Sequence, residues 1–286
     1  WIVIDNLRYD QWRVLKPVLE NYFVTEEERT FFSILPTATQ YARNAMFAGL
    51  MPDEIKRRFP DKWIEEQEEE GKNNYEAHFL RDQLDRSGLS DLSLGYEKVT
   101  QHGYGKKLVE RLSNLLENDL NVVVYNFVDM LSHAKTDMKV IRELAENDKA
   151  YRSLTHSWFE NSPLLDLLRA LADKKIPVML ATDHGTINVT DPTKVVGDRS
   201  LNTNLRYKMG RGLSYSARDV YEVKNPESIH LPKQNINSLY LFAKEDLFFA
   251  YPNNFNQYVK YYRNSYQHGG LSLEEMIVPS IKLIPR

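Results

Sequence analysis

The 286-residue sequence contains no cysteine, and this absence excludes several kinds of protein at once. Disulfide scaffolds, thiolate zinc sites and cysteine nucleophiles all need the missing thiol, so any bound metal has to be held by histidine and carboxylate side chains. The sequence also lacks an apolar run near the roughly 20 residues that span a bilayer, and it has no basic-then-apolar N-terminal signal. We therefore expect a cytoplasmic protein without a membrane partner.

The sequence also lacks a strong excess of positive or negative charge, because 37 basic and 40 acidic residues leave a net charge of −3. A phosphate-bearing partner is then drawn by local cations or metals rather than by the chain as a whole. The hydrophobic content of 42% and the charged content of 27% are typical of a globular protein with a substantial core, and we expect one domain over residues 1–286. The chain opens without Met on a strand-like segment, so we expect it to be the C-terminal part of a longer protein.

Apolar and β-branched segments predict strands at 1–4, 121–127, 176–181 and 238–243. Apolar residues at three- and four-residue spacing predict helices at 10–22, 39–49, 105–117, 139–157 and 163–174. Strand alternating with helix predicts an α/β fold, with a mostly parallel sheet flanked by helices. In such sheets reactive groups collect at the carboxyl ends of the strands, and Asp5, Asp129 and Asp183 each follow a predicted strand.

Two stretches interrupt this pattern and are predicted as insertions, at about 52–103 and 198–230. The first predicts a helical insertion with a solvated acidic face, whose acids include Glu65, Glu66, Glu68, Glu69 and Glu70. The second opens with a basic segment that is interpreted either as a flexible loop binding substrate phosphates or as an ordinary surface loop. Its cations are Arg199, Arg206, Lys208, Arg211 and Arg218, of which Arg206, Lys208 and Arg211 are the candidate substrate-binding residues.

Three spacings suggest metal ligands. Asp183-His184-Gly185 follows an apolar strand, and the glycine permits a tight turn that brings both side chains toward one ion. Asp129 and His133 are four residues apart and share one face if the segment is helical, the alternative being a helix N-cap beside a surface histidine. His268 precedes a Gly-Gly pair, whereas His78, His102, His156 and His230 are interpreted as structural or surface residues.

Thr39 begins a predicted helix, where it is either a cap or a hydroxyl that faces a bound phosphoryl group. An alcohol is a poor nucleophile at neutral pH, and metal coordination lowers its pKa. Together with six acid and imidazole ligands, this hydroxyl completes the inventory of a two-metal phosphoryl-transfer centre.

The order of these residues resembles the alkaline phosphatase superfamily, whose members share an α/β sheet and a two-zinc site. The Asp-His-Gly element and the closing His-Gly-Gly-x-Ser-x-Glu-Glu-x-x-Val-Pro stretch are similar to the PglZ domain, most like the C-terminal effector domain of PorX-type response regulators. The resemblance implies one zinc on Asp129, His133 and His268, and another on Asp5, Asp183 and His184. Mn²⁺ is the alternative metal.

The resemblance also implies that Thr39 is the nucleophile and a metal ligand, because related nucleotide pyrophosphatases place their threonine ten residues before a Gly-Leu-x-Pro turn, here Gly49 to Pro52. Thr37 is the alternative nucleophile. The implied activity is hydrolysis of nucleotide or oligonucleotide phosphodiesters through a threonyl-phosphate intermediate. A phosphomonoesterase and an inert regulatory module that binds metal or nucleotide are alternatives. A homodimer and a regulatory protein partner are further expectations from the response-regulator likeness.

Overall fold

The computed structural model describes residues 1–65, 68, 71–197, 202–233 and 237–286. This part of the chain divides into two compact units, each assembled from separate segments. Unit 1 comprises Trp1–Phe32, Leu89–Gly185 and Ile277–Arg286, and unit 2 comprises Ser33–Gly88 and Thr186–Met276. Glu66, Glu69 and Glu70 of the predicted acidic face and Arg199 of the basic segment lie outside the described residues. The single domain with two insertions stays a prediction.

Unit 1 contains a six-stranded, mostly parallel sheet, as the sequence predicts. Its strands are β1 (Ile2–Ile4), β2 (Phe23–Phe32), β3 (Leu94–Val99), β4 (Leu120–Tyr125), β5 (Val178–Ala181) and β14 (Ile277–Pro285). The strand order is β2-β14-β5-β1-β4-β3, and β14 runs antiparallel to both of its neighbours. β1 lies between β4 and β5 and is parallel to both, which is why its three residues are apolar and fully buried.

Helices cover this sheet and pack on it through a large apolar cluster that includes Trp12, Phe159 and Leu168. The helices of unit 1 are α1 (Tyr9–Leu19), α5 (His102–Glu110), α6 (Leu112–Leu115), α7 (Phe127–Asp137), α8 (Lys139–Leu144), α9 (Asp148–Glu160) and α10 (Pro163–Asp173). The predicted helix over 139–157 is in fact two helices, because the Asn147 side chain accepts a hydrogen bond from the backbone N–H of Ala150 and begins α9 there.

Unit 2 combines helices with small sheets. Its helices are α2 (Thr39–Ala48), α3 (Pro52–Arg58), α4 (Glu76–Arg86), α11 (Phe255–Tyr262) and α12 (Leu273–Met276), with a 3-10 turn at Pro226–Ile229. Its strands are β6 (Ile187–Val189), β7 (Asp191–Val196), β8 (Tyr207–Gly210), β9 (Ser214–Tyr215), β10 (Val220–Val223), β11 (Leu239–Ala243), β12 (Leu247–Ala250) and β13 (Ser265–Gln267). They form sheets in the orders β10-β11-β8, β12-β7-β9 and β13-β6.

Three sequence predictions are corrected here. The strand predicted at 238–243 exists as β11, but it belongs to an antiparallel sheet of unit 2 rather than to the parallel sheet. The stretch at 52–103 is not helical throughout, since β3 pairs with β4 as an edge strand of the main sheet. The predicted flexible loop contains β8 and β9, so its middle is ordered by strand pairing. No helix in the described residues combines the length and the apolar content that crossing a bilayer requires.

Candidate metal centre

Two of the predicted acids follow neighbouring parallel strands of unit 1. Asp5 comes directly after β1, and Asp183 comes two residues after β5. Because β1 and β5 are paired and parallel, their carboxyl ends meet at one edge of the sheet. The backbone therefore brings Asp5, Asp183 and His184 together, and we call these three residues the strand-end cluster.

The strand-end cluster has the geometry of a metal site. Asp5, Asp183 and His184 are 1%, 2% and 0% exposed. His184 Nε2 lies 3.8 Å from Asp5 Oδ1 and 3.7 Å from Asp183 Oδ2, and one ligand atom from each residue lies within 4.8 Å of the others. Three ligand atoms therefore converge on one small volume.

Surrounding hydrogen bonds hold these ligands in orientation. His184 Nδ1 lies 3.0 Å from the Gly185 carbonyl oxygen, which can only accept, so the proton is on Nδ1 and the lone pair of Nε2 points toward the carboxylates. Asp183 Oδ1 accepts from the backbone N–H groups of His184 (3.1 Å) and Asn6 (3.3 Å) and from the hydroxyl of Thr182 (3.3 Å). Oδ2 of Asp183 is the oxygen that lies 3.7 Å from the imidazole Nε2.

The donor chemistry fits a divalent cation. Two carboxylates removed from water at such a short separation repel each other, and burial of their charge is costly unless a positive charge compensates it. Carboxylate oxygens and one imidazole nitrogen are ligands of Zn²⁺ and also suit Mn²⁺. We conclude that the strand-end cluster is able to hold such an ion.

Asp129 and His133 lie on α7 of unit 1, and we call them the helix pair. Asn126 occupies the N-cap of α7, so the alternative in which Asp129 caps the helix is wrong. The four-residue spacing puts both side chains on one face, with Asp129 Oδ2 3.5 Å from His133 Nε2. The His133 side chain is 67% exposed, unlike any member of the strand-end cluster.

Asn6 connects the strand-end cluster to the helix pair, a role that the sequence did not predict. Its backbone N–H donates to Asp183, and its side-chain Nδ2 donates to Asp129 Oδ1 (3.4 Å) and to Ser132 Oγ (3.3 Å). Asn6 has a φ of 64°, a left-handed conformation that asparagine adopts more readily than most residues. An asparagine directly after a strand-end aspartate was the only available signal.

His268 and both candidate threonines belong to unit 2. The Thr37 hydroxyl is fully buried, donates to the Gly270 carbonyl (2.9 Å) and accepts from the Gly269 N–H (3.0 Å). The Thr37 carbonyl oxygen lies 3.1 Å from His268 Nδ1, so the ring donates to it and Nε2 carries the lone pair. Thr37 therefore organises the loop that carries His268.

Thr39 is the first residue of α2 and is only partly buried. Ala38 holds the N-cap position, so the alternative in which Thr39 caps the helix is wrong. The ten-residue helix is capped at its C-terminus by Gly49, whose φ of 57° is left-handed. The Thr39 hydroxyl thus lies at a helix N-terminus, where anions are favoured.

Two of the three candidate substrate cations are instead structural. Arg206 and Glu275 are buried together, with Nη2 2.7 Å from Oε2, and Arg206 also donates to the Leu247 carbonyl. Lys208 is buried and donates through Nζ to the Asn202 carbonyl (2.6 Å) and the Tyr251 hydroxyl (3.0 Å). Neither side chain reaches solvent, so we withdraw both as substrate contacts. Arg211 is exposed and stays a prediction.

Glu275 also explains the closing motif of the sequence. Its Oε1 accepts from the Gly270 N–H (2.9 Å), and its Oε2 accepts from the Ser272 hydroxyl (2.7 Å). The serine and the glutamate that follow His268 therefore support the glycine loop.

The fold of this chain is also found in solved structures of hydrolases. Phosphonoacetate hydrolase from Sinorhizobium meliloti 1021, solved in complex with phosphonoformate, is 10% identical, with a TM-score of 0.59 over 98% of this chain and 88% of that one. Murine ectonucleotide pyrophosphatase/phosphodiesterase 5, solved in an inactive threonine-to-alanine form in complex with AMP, is 12% identical, with a TM-score of 0.55 over 98% of this chain and 86% of that one. At these identities the likeness establishes the fold alone.

The sequence itself identifies the family. Residues 1–283 match the model of the BREX system PglZ alkaline phosphatase-like domain, and the chain belongs to this family. No curated protein matches the sequence.

Proposed function

We propose that the chain is a two-metal phosphodiesterase that hydrolyses nucleotide or oligonucleotide phosphodiesters. The strand-end cluster carries this proposal, because two buried carboxylates and an oriented imidazole at the carboxyl ends of parallel strands form a ready cation site. We assign one ion to Asp5, Asp183 and His184. We assign the other to the helix pair and His268, following the ligand order of the superfamily that the sequence resembles.

Zinc is the metal that we propose, and manganese is the alternative. When bound, the two ions neutralise the non-bridging phosphate oxygens and lower the pKa of a coordinated hydroxyl. Carbonyl groups accept from the Nδ1–H of His184 and of His268, and this supports Nε2 as the proposed ligand atom of both rings.

Thr39 is the proposed nucleophile. Its Oγ forms a bond to phosphorus, the bond from phosphorus to the leaving alcohol breaks, and the alcohol departs with a proton. Water then hydrolyses the phosphothreonine and restores the hydroxyl. Support comes from Thr37, whose hydroxyl already has a backbone donor and a backbone acceptor, and from the murine relative in which a threonine-to-alanine form is described as inactive.

A diester rather than a monoester is the proposed substrate. A monoester carries one more negative charge, which an additional cation has to meet. The two arginines nearest to the proposed site in sequence form ion pairs with carboxylates of the protein. Arg8 pairs with Asp10 and Asp148, and Arg43 forms a buried pair with Glu76. The AMP bound by the murine phosphodiesterase relative also supports a nucleotide-type substrate.

A comparison of two chromogenic esters tests this proposal. Zinc-loaded protein is expected to release nitrophenol from bis(4-nitrophenyl) phosphate faster than from 4-nitrophenyl phosphate. Thr39→Ala is expected to lose the diesterase activity and keep the metal, whereas Thr39→Ser keeps the hydroxyl and part of the rate.

Each other outcome identifies an alternative. Activity on the monoester alone makes the chain a phosphomonoesterase, and diesterase activity that survives Thr39→Ala assigns the nucleophile elsewhere. Metal binding without hydrolysis of either ester identifies a regulatory module.

The proposed context is the effector domain of a response regulator. Phosphorylation of the receiver domain would then promote homodimerisation of the full-length protein. Analytical ultracentrifugation of the phosphorylated and unphosphorylated protein tests this, and a monomer in both samples would contradict it.

A further inference from the structure

A small apolar pocket opens in unit 1 at the carboxyl ends of β3 and β4. Its volume is about 220 Å³. We call it the Tyr125 pocket, and its lining includes Gly105, Tyr125, Phe127, Met130, Trp158 and Pro163. A cavity of about 150 Å³ holds a benzene molecule, so the Tyr125 pocket accommodates one ring system and little more.

The Tyr125 hydroxyl is the polar group that marks this pocket as a ligand site. Tyr125 is 2% exposed, and within the described residues its hydroxyl has no hydrogen-bond partner. Burial raises the pKa of Tyr125, so the group stays protonated and is able to donate. A buried hydroxyl without a partner is unfavourable and uncommon, and a ligand acceptor would satisfy it.

The space beside this hydroxyl is kept open by Gly105. A Cβ at that position would lie 3.5 Å from the Tyr125 hydroxyl oxygen and 3.0 Å from Pro163 Cβ. Gly105 lies inside α5, where glycine is about 1 kcal/mol less favourable than alanine. The helix therefore carries a residue that weakens it and that leaves room in the pocket.

The other walls suit a planar group. Phe127 and Trp158 stack face to face with their ring planes 2° apart, and both rings are only partly buried. Stacking of a base on aromatic side chains contributes about 1–3 kcal/mol and tolerates any base. A flat ring with a hydrogen-bond acceptor matches both the aromatic wall and the hydroxyl.

The pocket also lies next to the proposed chemistry. Phe127 and Met130 come from α7, the helix that carries the helix pair. Met130 and His133 are three residues apart and hence neighbours on the helix surface. A ring in the Tyr125 pocket is therefore placed beside one of the proposed metal ligands.

We propose that the Tyr125 pocket binds a nucleobase of the substrate, with the Tyr125 hydroxyl donating to a ring nitrogen or carbonyl oxygen of the base. This proposal rests on the proposed phosphodiesterase function and names the group that the enzyme recognises beyond the phosphate.

Nucleoside binding by the zinc-loaded protein tests the pocket apart from catalysis, because a nucleoside has no phosphate to hydrolyse. Adenosine and guanosine are titrated while the fluorescence of Trp158 is followed, with Trp158→Phe to assign the signal and ribose as the ligand without a base. Both nucleosides are expected to bind and ribose is not. Tyr125→Phe is expected to weaken nucleoside binding about fivefold, the effect of one hydrogen bond, and Gly105→Ala about tenfold or more through lost space.

Thermal unfolding separates this site from a packing role for Tyr125. Tyr125→Phe removes an unpartnered hydroxyl and is expected to leave the Tm unchanged or higher. The matched control is Tyr151→Phe, which removes a fully buried hydroxyl that donates to the Val128 carbonyl (3.4 Å) and is expected to lower the Tm.

Equal nucleoside affinity in the wild type, Tyr125→Phe and Gly105→Ala would overturn the proposal, as would a lower Tm for Tyr125→Phe. Nucleoside binding with the expected variant effects but without diester hydrolysis would keep the base site and reject the phosphodiesterase. Diester hydrolysis without nucleoside binding would do the reverse.

Discussion

The strand-end cluster and the helix pair use the same two ligand types in opposite surroundings. Asp5, Asp183 and His184 are buried and are fixed by the backbone and by neighbouring hydrogen bonds. Asp129 and His133 lie on one helix face, with the imidazole largely in solvent. A pre-oriented and desolvated site loses little entropy on binding and gains relief from carboxylate repulsion, so we expect the strand-end cluster to bind the tighter ion.

Asp183→Asn tests the buried strand-end cluster, and among the substitutions considered it has the largest expected effect on activity. Asparagine keeps the oxygen that accepts from Asn6 and His184 but removes a charged ligand. Since changes to groups that merely support a ligand cost about 10–100-fold, this change should lower the diesterase rate by more than about a hundredfold. The metal-free variant should also unfold at a higher temperature than the metal-free wild type, because one of two buried negative charges is gone.

Metal analysis after dialysis and thermal unfolding with chelator measure these two effects. A variant that retains both ions, or that is less stable than the wild type without metal, would show that Asp183 is not a ligand.

His133→Ala tests the exposed side. It should weaken one ion only, by about a hundredfold, near the upper end of the cost of changing a supporting group, and an excess of metal should restore activity, unlike in Asp183→Asn. The matched control is His156→Ala, because His156 lies 3.4 Å from Glu160 at the same four-residue spacing but is not a predicted ligand. Calorimetric titration with Zn²⁺ measures the metal affinity of both variants. An equal effect of the two substitutions on that affinity would reject the helix pair as a metal site.

The sequence predicted the centre of the main sheet better than its edges. Buried strands such as β1 and β4 are continuous apolar runs, which the hydrophobic pattern detects. The edge strands β2 and β3 carry charged residues such as Glu28 and Lys98 and therefore resemble surface segments. β14 was missed because Pro279 disfavours a strand, although Pro279 lies outside the part of β14 that pairs with β5.

The candidate ligands were predictable because they follow strands in chain order, but their supports were not. The sequence suggested Arg206 and Lys208 as substrate cations, since it does not show that Glu275 and Asn202 lie beside them. The charge of a side chain does not show whether it binds a substrate phosphate or a buried group of the protein, because tertiary contacts decide between the two.

Asn6 offers a way to sharpen the comparison, because it contacts both groups. Asn6→Gly keeps the left-handed backbone and removes only the side-chain bonds to Asp129 and Ser132. It should weaken metal binding at the helix pair about tenfold and leave the strand-end cluster unchanged. Asn6→Ala should add a stability loss of about 1 kcal/mol through its left-handed backbone, visible in denaturant unfolding. Two variants of equal stability would contradict the backbone argument.

Glu28 completes the contrast as a carboxylate that the protein satisfies without a metal. Burial alone would raise its pKa, but hydrogen bonds from Lys16, Tyr9 and Trp12, together with the charge of Lys16, lower the pKa to about 2. A carboxyl with a depressed pKa stabilises the fold above its unfolded pKa and loses that stability as the pH falls. The loss should therefore occur between about 4.5, the ordinary value, and about 2.

Glu28→Gln should consequently show a weaker dependence of unfolding free energy on pH over that window than the wild type does. The expected effect is small compared with loss of a metal ligand, because glutamine retains some of the hydrogen bonds. Chelator should change the stability of both proteins equally at neutral pH, since Glu28 already has its donors from α1 and the strand-end cluster depends on a cation. Identical acid dependence in denaturant titrations of the two proteins would show that Glu28 is not the titrating group.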